Sequence, residues 1–255
     1  MGQPDPYDFF NYLGYWQGRE YEDSAEKLAL KKLFAKIPQR DSLIDIGGGF
    51  GRLSDTYVSK FSRCLLIDSS EKLLKQAKTR LKEYKNIKIQ EGGAEDIPAS
   101  TDEFDTALLI RLVHHFPEPL KAFKEACRVL KPGGFLILEF ANKIHFYARV
   151  RAYLRGDFGF TRNTEPIDVR SRQSIAQGNI PFLNHHPIQI KKLLIKAGFE
   201  IKDQLSVSNL RHSLVKKIIP CWALLFLESS LQRLGSKIYF GPSIFFLARK
   251  KFPPR

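Results

Sequence analysis

The chain has 255 residues, of which 43% are hydrophobic and 27% charged, with a formal net charge of +14. That length suits one α/β domain with insertions and buries a sizeable core, and the composition argues for a globular chain and against a disordered one. The charge is unevenly spread: residues 142–255 hold 20 basic and 6 acidic side chains and carry the whole excess.

In chain order, the first feature is an aromatic segment from Tyr7 to Arg19, expected to pack over the core. Ala25, Leu28, Ala29, Leu30, Leu33 and Phe34 then recur at helical spacing, which predicts a helix over 21–36 and a helical cap over residues 1–40. From residue 41 onward, strands and helices alternate. A strand is predicted over Ser42–Ile46, a helix starting near Gly51, and a strand over Cys64–Asp68. A helix from Ser70 carries Leu73, Leu74, Ala77 and Leu81 on one face; a strand over Ile87–Gln90 and a loop over Gly92–Pro98 follow. The unbroken apolar run Phe104–Ile110 predicts a buried parallel strand. A helix over Glu118–Leu130 is stopped by Lys131-Pro132-Gly133-Gly134, and Phe135–Phe140 is the fifth strand.

Residues 142–185 break this rhythm. They hold a basic helical piece, Ile144–Arg155, and then Gly156, Gly159, Gly178 and Pro181, the pattern of a lid or binding insertion. Pro187–Ala197 is a helix closed by Gly198, and Phe199–Val207 and Ile244–Arg249 are the last strands. Between those strands, over about 208–240, lies a second insertion with an apolar stretch, Val215–Leu234. Its ten-residue run Ile218–Leu227 is too short to span a bilayer, and Glu228 interrupts it. It reads as a core or lid helix, or as contact with a membrane surface beside Lys216 and Lys217. The alternation as a whole predicts an α/β fold with a parallel, doubly wound sheet.

Chemistry concentrates at two predicted strand ends. Leu43-Ile44-Asp45-Ile46 runs into Gly47-Gly48-Gly49-Phe50-Gly51, and Cys64-Leu65-Leu66-Ile67 ends on Asp68. A strand, a glycine turn and an acid closing the next strand open a nucleotide-binding unit, with the acid placed to hold a ribose. The glycines at 47, 49 and 51 give G-x-G-x-G, not the dinucleotide G-x-G-x-x-G. Their missing side chains allow close approach of a ligand, and a helix beginning near Gly51 would offer unpaired N–H groups.

The order of motifs resembles the class I S-adenosylmethionine-dependent methyltransferases, in the branch of ubiquinone/menaquinone-biosynthesis-type and small-molecule enzymes. The matching pieces are Leu43–Gly51, Leu66–Asp68, Gly93–Pro98, Glu103–Ala107, and Val113–Phe116 through Arg128–Gly134, together covering residues 42–141. The resemblance implies a Rossmann-like, doubly wound sheet of seven strands, mostly parallel with one antiparallel strand, in the order 3-2-1-4-5-7-6. It implies methyl transfer from S-adenosylmethionine by in-line displacement, with S-adenosylhomocysteine as product. Gly47 and Gly49 would approach the cofactor, and Asp68 would accept from both ribose hydroxyls with Ser69 beside it. Asp45 would sit near the methionine ammonium, and Ala94 and Glu95 along the adenine. Relatives commonly carry an acid before that Ala-Glu pair; Gly93 stands here, which leaves the adenine amino group to Asp96 or a backbone carbonyl. Arg111 would face the cofactor edge, holding an anionic group or a rim salt bridge. Arg19 would reach the methionine carboxylate as a charge-assisted fork, or pair with Glu22 on the surface.

No motif names a catalytic residue. Where the nucleophile is a hydroxyl or an acidic carbon a base is needed, and His115, His185 and His186 are candidates. Against them stand a structural hydrogen-bonding role for the His114-His115 pair and a helix start signal at Asn184 or His185. No His/Asp/Glu set has metal-ligand spacing, so no metal is expected. The acceptor is expected to be a small molecule or lipid, held between the aromatic segment, the 142–185 insertion and the 210–240 helix. The basic second half raises an RNA methyltransferase as an alternative. The Asn/Asp-Pro-Pro-aromatic turn used on base amino groups is absent after Phe104–Ile110, so nucleic acid is not the expected partner. A non-catalytic protein that binds S-adenosylmethionine or S-adenosylhomocysteine is a third alternative. Cys64, Cys127 and Cys221 form no disulfide framework, and Met1–Pro6 has no signal-peptide layout, so a cytoplasmic protein is expected, with peripheral contact to anionic membrane open. The sequence sets no oligomeric state.

Overall fold

Leu43, Ile44 and Ile46 of strand β1 (Ser42–Ile46), Leu65–Ile67 of β2 (Arg63–Asp68) and Ala107–Leu109 of β4 (Phe104–Leu109) are all buried. Successive side chains of a strand point to opposite faces, so continuous apolar runs need cover on both. In the computed structural model, which describes residues 12–176 and 179–252, both faces are covered. Ile44, Ile46, Leu65 and Ile67 pack with helices α4 (Leu120–Val129) and α7 (Pro187–Lys196). Leu43, Cys64 and Leu108 pack with α2 (Glu20–Phe34) and α9 (Cys221–Ser236) on the other side. Leu74, Ala77 and Leu81 bring α3 (Glu71–Arg80) against Leu66.

The sheet runs β3 (Ile87–Glu91), β2, β1, β4, β5 (Leu130–Ala141), β9 (Ser243–Lys250), β8 (Phe199–Val207). Counted within the sheet alone this is 3-2-1-4-5-7-6, and β9 is antiparallel to both neighbours while the other pairs are parallel. The insertion after β5 contains α5 (Phe146–Leu154), a two-residue antiparallel pair of β6 (Ile167–Asp168) with β7 (Leu183–Asn184), and between them α6 (Arg172–Ala176). The insertion after β8 holds α8 (Ser213–Ile218) and α9. Pro220, N-cap of α9, separates the two helices, so the apolar stretch is not one helix.

The helix expected near Gly51 is absent. Only a 3₁₀ turn at Ser54–Thr56 interrupts a run of turns. Gly51 stands at φ +76°, and Ser54, Asp55, Thr56, Tyr57 and Val58 are weak helix formers. Most local bonds span three residues: Ser54 N–H to the Gly51 carbonyl, Thr56 to Leu53, Tyr57 to Ser54. The fifth strand also differs from expectation. Leu130 already pairs with Phe104, and Lys131–Gly134 forms an irregularity inside the ladder instead of a turn before it. Of the aromatic segment, Tyr7, Phe9 and Phe10 lie outside the described residues. Helix α1 (Tyr12–Tyr15) leads to Trp16, whose ring the arginines below surround.

Candidate functional site

The sheet order reverses between β1 and β4, where the crossovers on either side part and leave a crevice at the strand ends. The segments leaving β1, β2, β3 and β4 line a cavity of about 1090 Å³ there. The glycine turn is tied to β2, because Gly47 and Gly48 N–H both donate to the Ile67 carbonyl, at 2.8 and 3.0 Å. Gly47 and Gly49 take φ of +71° and +56°, conformations that L side chains rarely adopt. A Cβ on Gly47 would also sit 2.7 Å from Leu112 Cδ2. Gly49 N–H donates to Asp68 Oδ2 at 2.8 Å, and Ser70 N–H to Oδ1 at 3.0 Å. Two backbone donors thus fix the carboxylate at the cavity wall, and each of its oxygens is able to accept a further hydrogen bond.

Asp45 lies deeper. Burial pushes its carboxyl up to about 6; the Tyr57 hydroxyl, donating at 2.8 Å to Oδ2, works against the rise, and the charge of Asp68 adds to it. Sequence reasoning gave Tyr57 no part. It is fully buried with a polar tip, which requires a partner, but that partner is not legible in sequence.

Glu26 is a carboxylate on the buried face of α2. Its Oε1 accepts from Arg111 Nε at 2.7 Å and its Oε2 from Arg52 Nη2 at 2.6 Å. Arg111 takes φ 55°, with its N–H donating to the buried Glu139 carboxylate at 2.9 Å. Both guanidiniums lie on the ring of Trp16, Arg52 at 3.7 Å and Arg111 at 4.7 Å from its centroid. One acid therefore joins the cap helix, the glycine turn and the end of β4, and Trp16 caps the joint as part of the cavity wall.

Opposite this wall, residues of the first insertion face the cavity: Arg170, Ser174, Asn179, Ile180 and Phe182. His114 lies 4.1 Å from the His115 ring and 4.3 Å from Phe182, centroid to centroid. His115 Nδ1 is 2.8 Å from the Pro181 carbonyl, which only accepts, so Nδ1 carries the proton and Nε2 is the basic nitrogen. Burial lowers the pKa of His115, the Pro181 bond opposing, and it lowers that of His114 well below the ordinary value. The cations of the cavity wall all have carboxylate partners: Arg52 on Asp23 and Glu26, Arg111 on Glu26, Arg170 on Asp168, and Lys121 at 3.8 Å from Glu95.

Asp45, Gly47, Gly49, Asp68, Ser69, Ala94, Glu95, Arg111 and His115 thus line one cavity. Three candidates lie elsewhere. Arg19 rests its guanidinium 4.1 Å over the Tyr15 ring, and Glu22 pairs with Lys216 instead of with Arg19. His185 is buried with Nε2 3.1 Å from the Val113 carbonyl. His186 caps α7: Nδ1 accepts from Ile188 N–H at 3.2 Å, so Nε2 donates to the Thr161 carbonyl at 3.1 Å. Among the described residues no group of three His, Cys, Asp or Glu side chains is placed to hold a metal ion.

Residues 44–138 match a family described as a methyltransferase domain. The chain is 32% identical over 149 residues to a ubiquinone/menaquinone biosynthesis C-methyltransferase of Rickettsia massiliae, covering 54% of this chain and 57% of that protein. It is 31% identical over 130 residues to a chloroplastic 2-methyl-6-phytyl-1,4-hydroquinone methyltransferase of Oryza sativa, covering 50% of this chain and 35% of that one. The chain thus spans about half, or less, of the length of these relatives. An S-adenosylmethionine-dependent methyltransferase structure from Thermotoga maritima shares the fold at a TM-score of 0.58 and 22% identity, covering 94% of this chain and 95% of that one.

Proposed function

We propose that this chain, whose residues 44–138 match a methyltransferase domain, is an S-adenosylmethionine-dependent methyltransferase that transfers a methyl group to a neutral, aromatic, lipid-like acceptor of hydroquinone type. The observation that carries the acceptor class is the electrostatics of the cavity. Among the described residues the arginines of its wall are each paired with a protein carboxylate, which disfavours an anionic acceptor there, whereas Phe182, Ile180, Phe116 and the imidazoles offer an apolar, aromatic wall. The relatives named for quinone and hydroquinone chemistry support the same class. An acceptor of this kind partitions into membranes, which makes a bilayer surface its expected source.

S-adenosylmethionine supplies an electrophilic sulfonium methyl when bound. The residues present fit it: Asp68, held by two backbone donors, would accept the ribose hydroxyls, Asp45 would hold the methionine ammonium, and Gly92–Asp96 would border the adenine. Phe182, His114 and Trp16 exclude water from the acceptor side, and His115 Nε2 takes the proton that the acceptor loses as the new bond forms. Its lowered pKa leaves Nε2 unprotonated at neutral pH and free to accept a proton, at the cost of a weaker base. Calorimetric titration with S-adenosylhomocysteine is expected to give a micromolar dissociation constant, and undetectable binding would overturn the assignment.

Two outcomes check the named residues. His115→Ala is expected to lower kcat about a hundredfold while leaving the affinity for S-adenosylhomocysteine unchanged; equal loss of both would make His115 merely a packing residue. Asp45 gives a pH dependence. Its carboxyl must ionise to hold the ammonium, so affinity for S-adenosylhomocysteine is expected to rise about tenfold between about pH 5 and about pH 7 and to lose that slope in Asp45→Asn. The sign for the empty protein is the reverse. A carboxyl raised from 3.8 to about 6 stabilises the fold fully below 3.8, and that contribution is lost as pH rises through about 6.

A further inference from the structure

Two stretches of the second half leave large apolar side chains in solvent. After and along α5 these are Tyr153, Leu154 and Phe158, 68%, 78% and 71% exposed; on α8 and α9 they are Ile218, Trp222 and Phe226, 81%, 75% and 76% exposed. Trp222 and Phe226 stand one turn apart on α9, on the face opposite the buried Leu224 and Glu228. The stretches adjoin, since the Tyr147 ring of α5 lies 5.7 Å from His212, the N-cap of α8, and Phe146 stacks at 5.0 Å on Phe240 beyond α9.

The charge around these side chains is mostly positive, although Lys216 pairs with Glu22 at 2.8 Å and Arg233 lies 3.8 Å from Asp203. Along 144–163, Arg149, Arg151, Arg155 and Arg162 face the single acid Asp157. Along 211–238, Arg211, Lys216, Lys217, Arg233 and Lys237 stand against Glu228 alone, and Glu228 is buried with its carboxylate accepting from Tyr21 and Asn209. Exposed aromatic and aliphatic residues set among basic ones are the composition of a segment that lies in a lipid headgroup layer. No helix among the described residues is long and apolar enough to cross a membrane. Lys216 of α8 pairs at 2.8 Å with Glu22, on the first turn of α2 just after Trp16 of the cavity wall, so α8 sits beside the chain that forms that wall.

We infer that α5, the turn after it, α8 and α9 form a docking face for an anionic lipid bilayer. Tyr153, Leu154, Phe158, Ile218, Trp222 and Phe226 enter the headgroup layer while the surrounding arginines and lysines meet lipid phosphates. The face rests on the proposed lipid-like acceptor for its purpose, and on its own exposure and charge for its existence. Docking brings the cavity to the bilayer in which such an acceptor dissolves, with no helix among the described residues spanning it.

The test is co-sedimentation of the full chain with vesicles of phosphatidylcholine alone and of equal parts phosphatidylcholine and phosphatidylglycerol, at low and high salt. Binding to the anionic vesicles at low salt, reduced by salt, is the expected result. Arg151→Glu with Arg155→Glu is expected to weaken it at least about tenfold, and Trp222→Ser with Phe226→Ser to weaken it at both salt concentrations. No binding to anionic vesicles at low salt, or binding indifferent to all four substitutions, overturns the inference. So does a concentration-dependent dimer that Trp222→Ser disperses, which would assign the face to a second copy of the chain. Affinity for S-adenosylhomocysteine, measured on the same samples, is expected to stay unchanged throughout, which separates failure of docking from failure of the methyltransferase assignment.

Discussion

Asp68→Ala is expected to reduce affinity for S-adenosylhomocysteine by about 10²- to 10⁴-fold. The carboxylate offers charge-assisted hydrogen bonds to two ribose hydroxyls, each worth about 1.5–3 kcal/mol, and each 1.4 kcal/mol is about a tenfold change. The loss has a second source. Asp68 Oδ2 also receives the Gly49 N–H and Oδ1 the Ser70 N–H, so its removal loosens the glycine turn and the entry to α3 together. Asp68→Asn keeps the acceptor oxygen and should fall between the two. Calorimetry on both variants, with thermal unfolding of the ligand-free proteins as a control for folding, checks the result. Affinity within about twofold of the unsubstituted chain would remove Asp68 from the site.

Glu26→Ala is expected to destabilise the fold by about 3–5 kcal/mol, the cost of breaking a buried ion pair by removing one partner. Burial by itself would raise the Glu26 carboxyl, but Arg111 and Arg52 outweigh burial and hold it below its ordinary value. With the acid gone, both guanidiniums lose their shared counter-charge beneath Trp16, although Asp23 still meets Arg52. A depressed carboxyl contributes stability that is present above its unfolded pKa of 4.5 and lost as pH falls through the lower folded value. Acid unfolding of the chain should therefore begin earlier in Glu26→Gln. Urea unfolding at neutral pH measures the first effect and an acid titration the second; a variant within about 1 kcal/mol of the parent would make the cluster ornamental to folding.

Sequence legibility followed the range of the interaction. β1, β2 and β4 were readable because two-sided burial writes itself as consecutive apolar residues, and their ends located Asp45, Gly47, Gly49 and Asp68 at the cavity. Asp96, Arg111 and His115 also came to the wall, but what each one meets there depends on distant chain: Arg111 on Glu26, eighty-five residues before it, and His115 on Pro181, sixty-six after. Glu26 left one trace, an acid that shares a buried helix face with Glu22, Ala25, Ala29, Leu30 and Leu33, and a charge on a buried face announces a partner without naming it. The histidine pair 185–186 shows the limit at close range. Cap geometry chose His186, one residue along from the expected start, and sent His185 to the Val113 carbonyl.

The missing helix after the glycine turn bears on which nucleotides the cavity admits. A dinucleotide crevice holds its pyrophosphate on the free N–H groups and positive end of a helix. Here the N–H groups of Gly47, Gly48 and Gly51 are spent on carbonyls, that of Gly49 on Asp68, and a 3₁₀ turn stands where the dipole would be. A phosphate brought to this turn would meet the carboxylates of Asp45 and Asp68. The turn is therefore better suited to a cationic group than to the pyrophosphate of a nicotinamide or flavin dinucleotide.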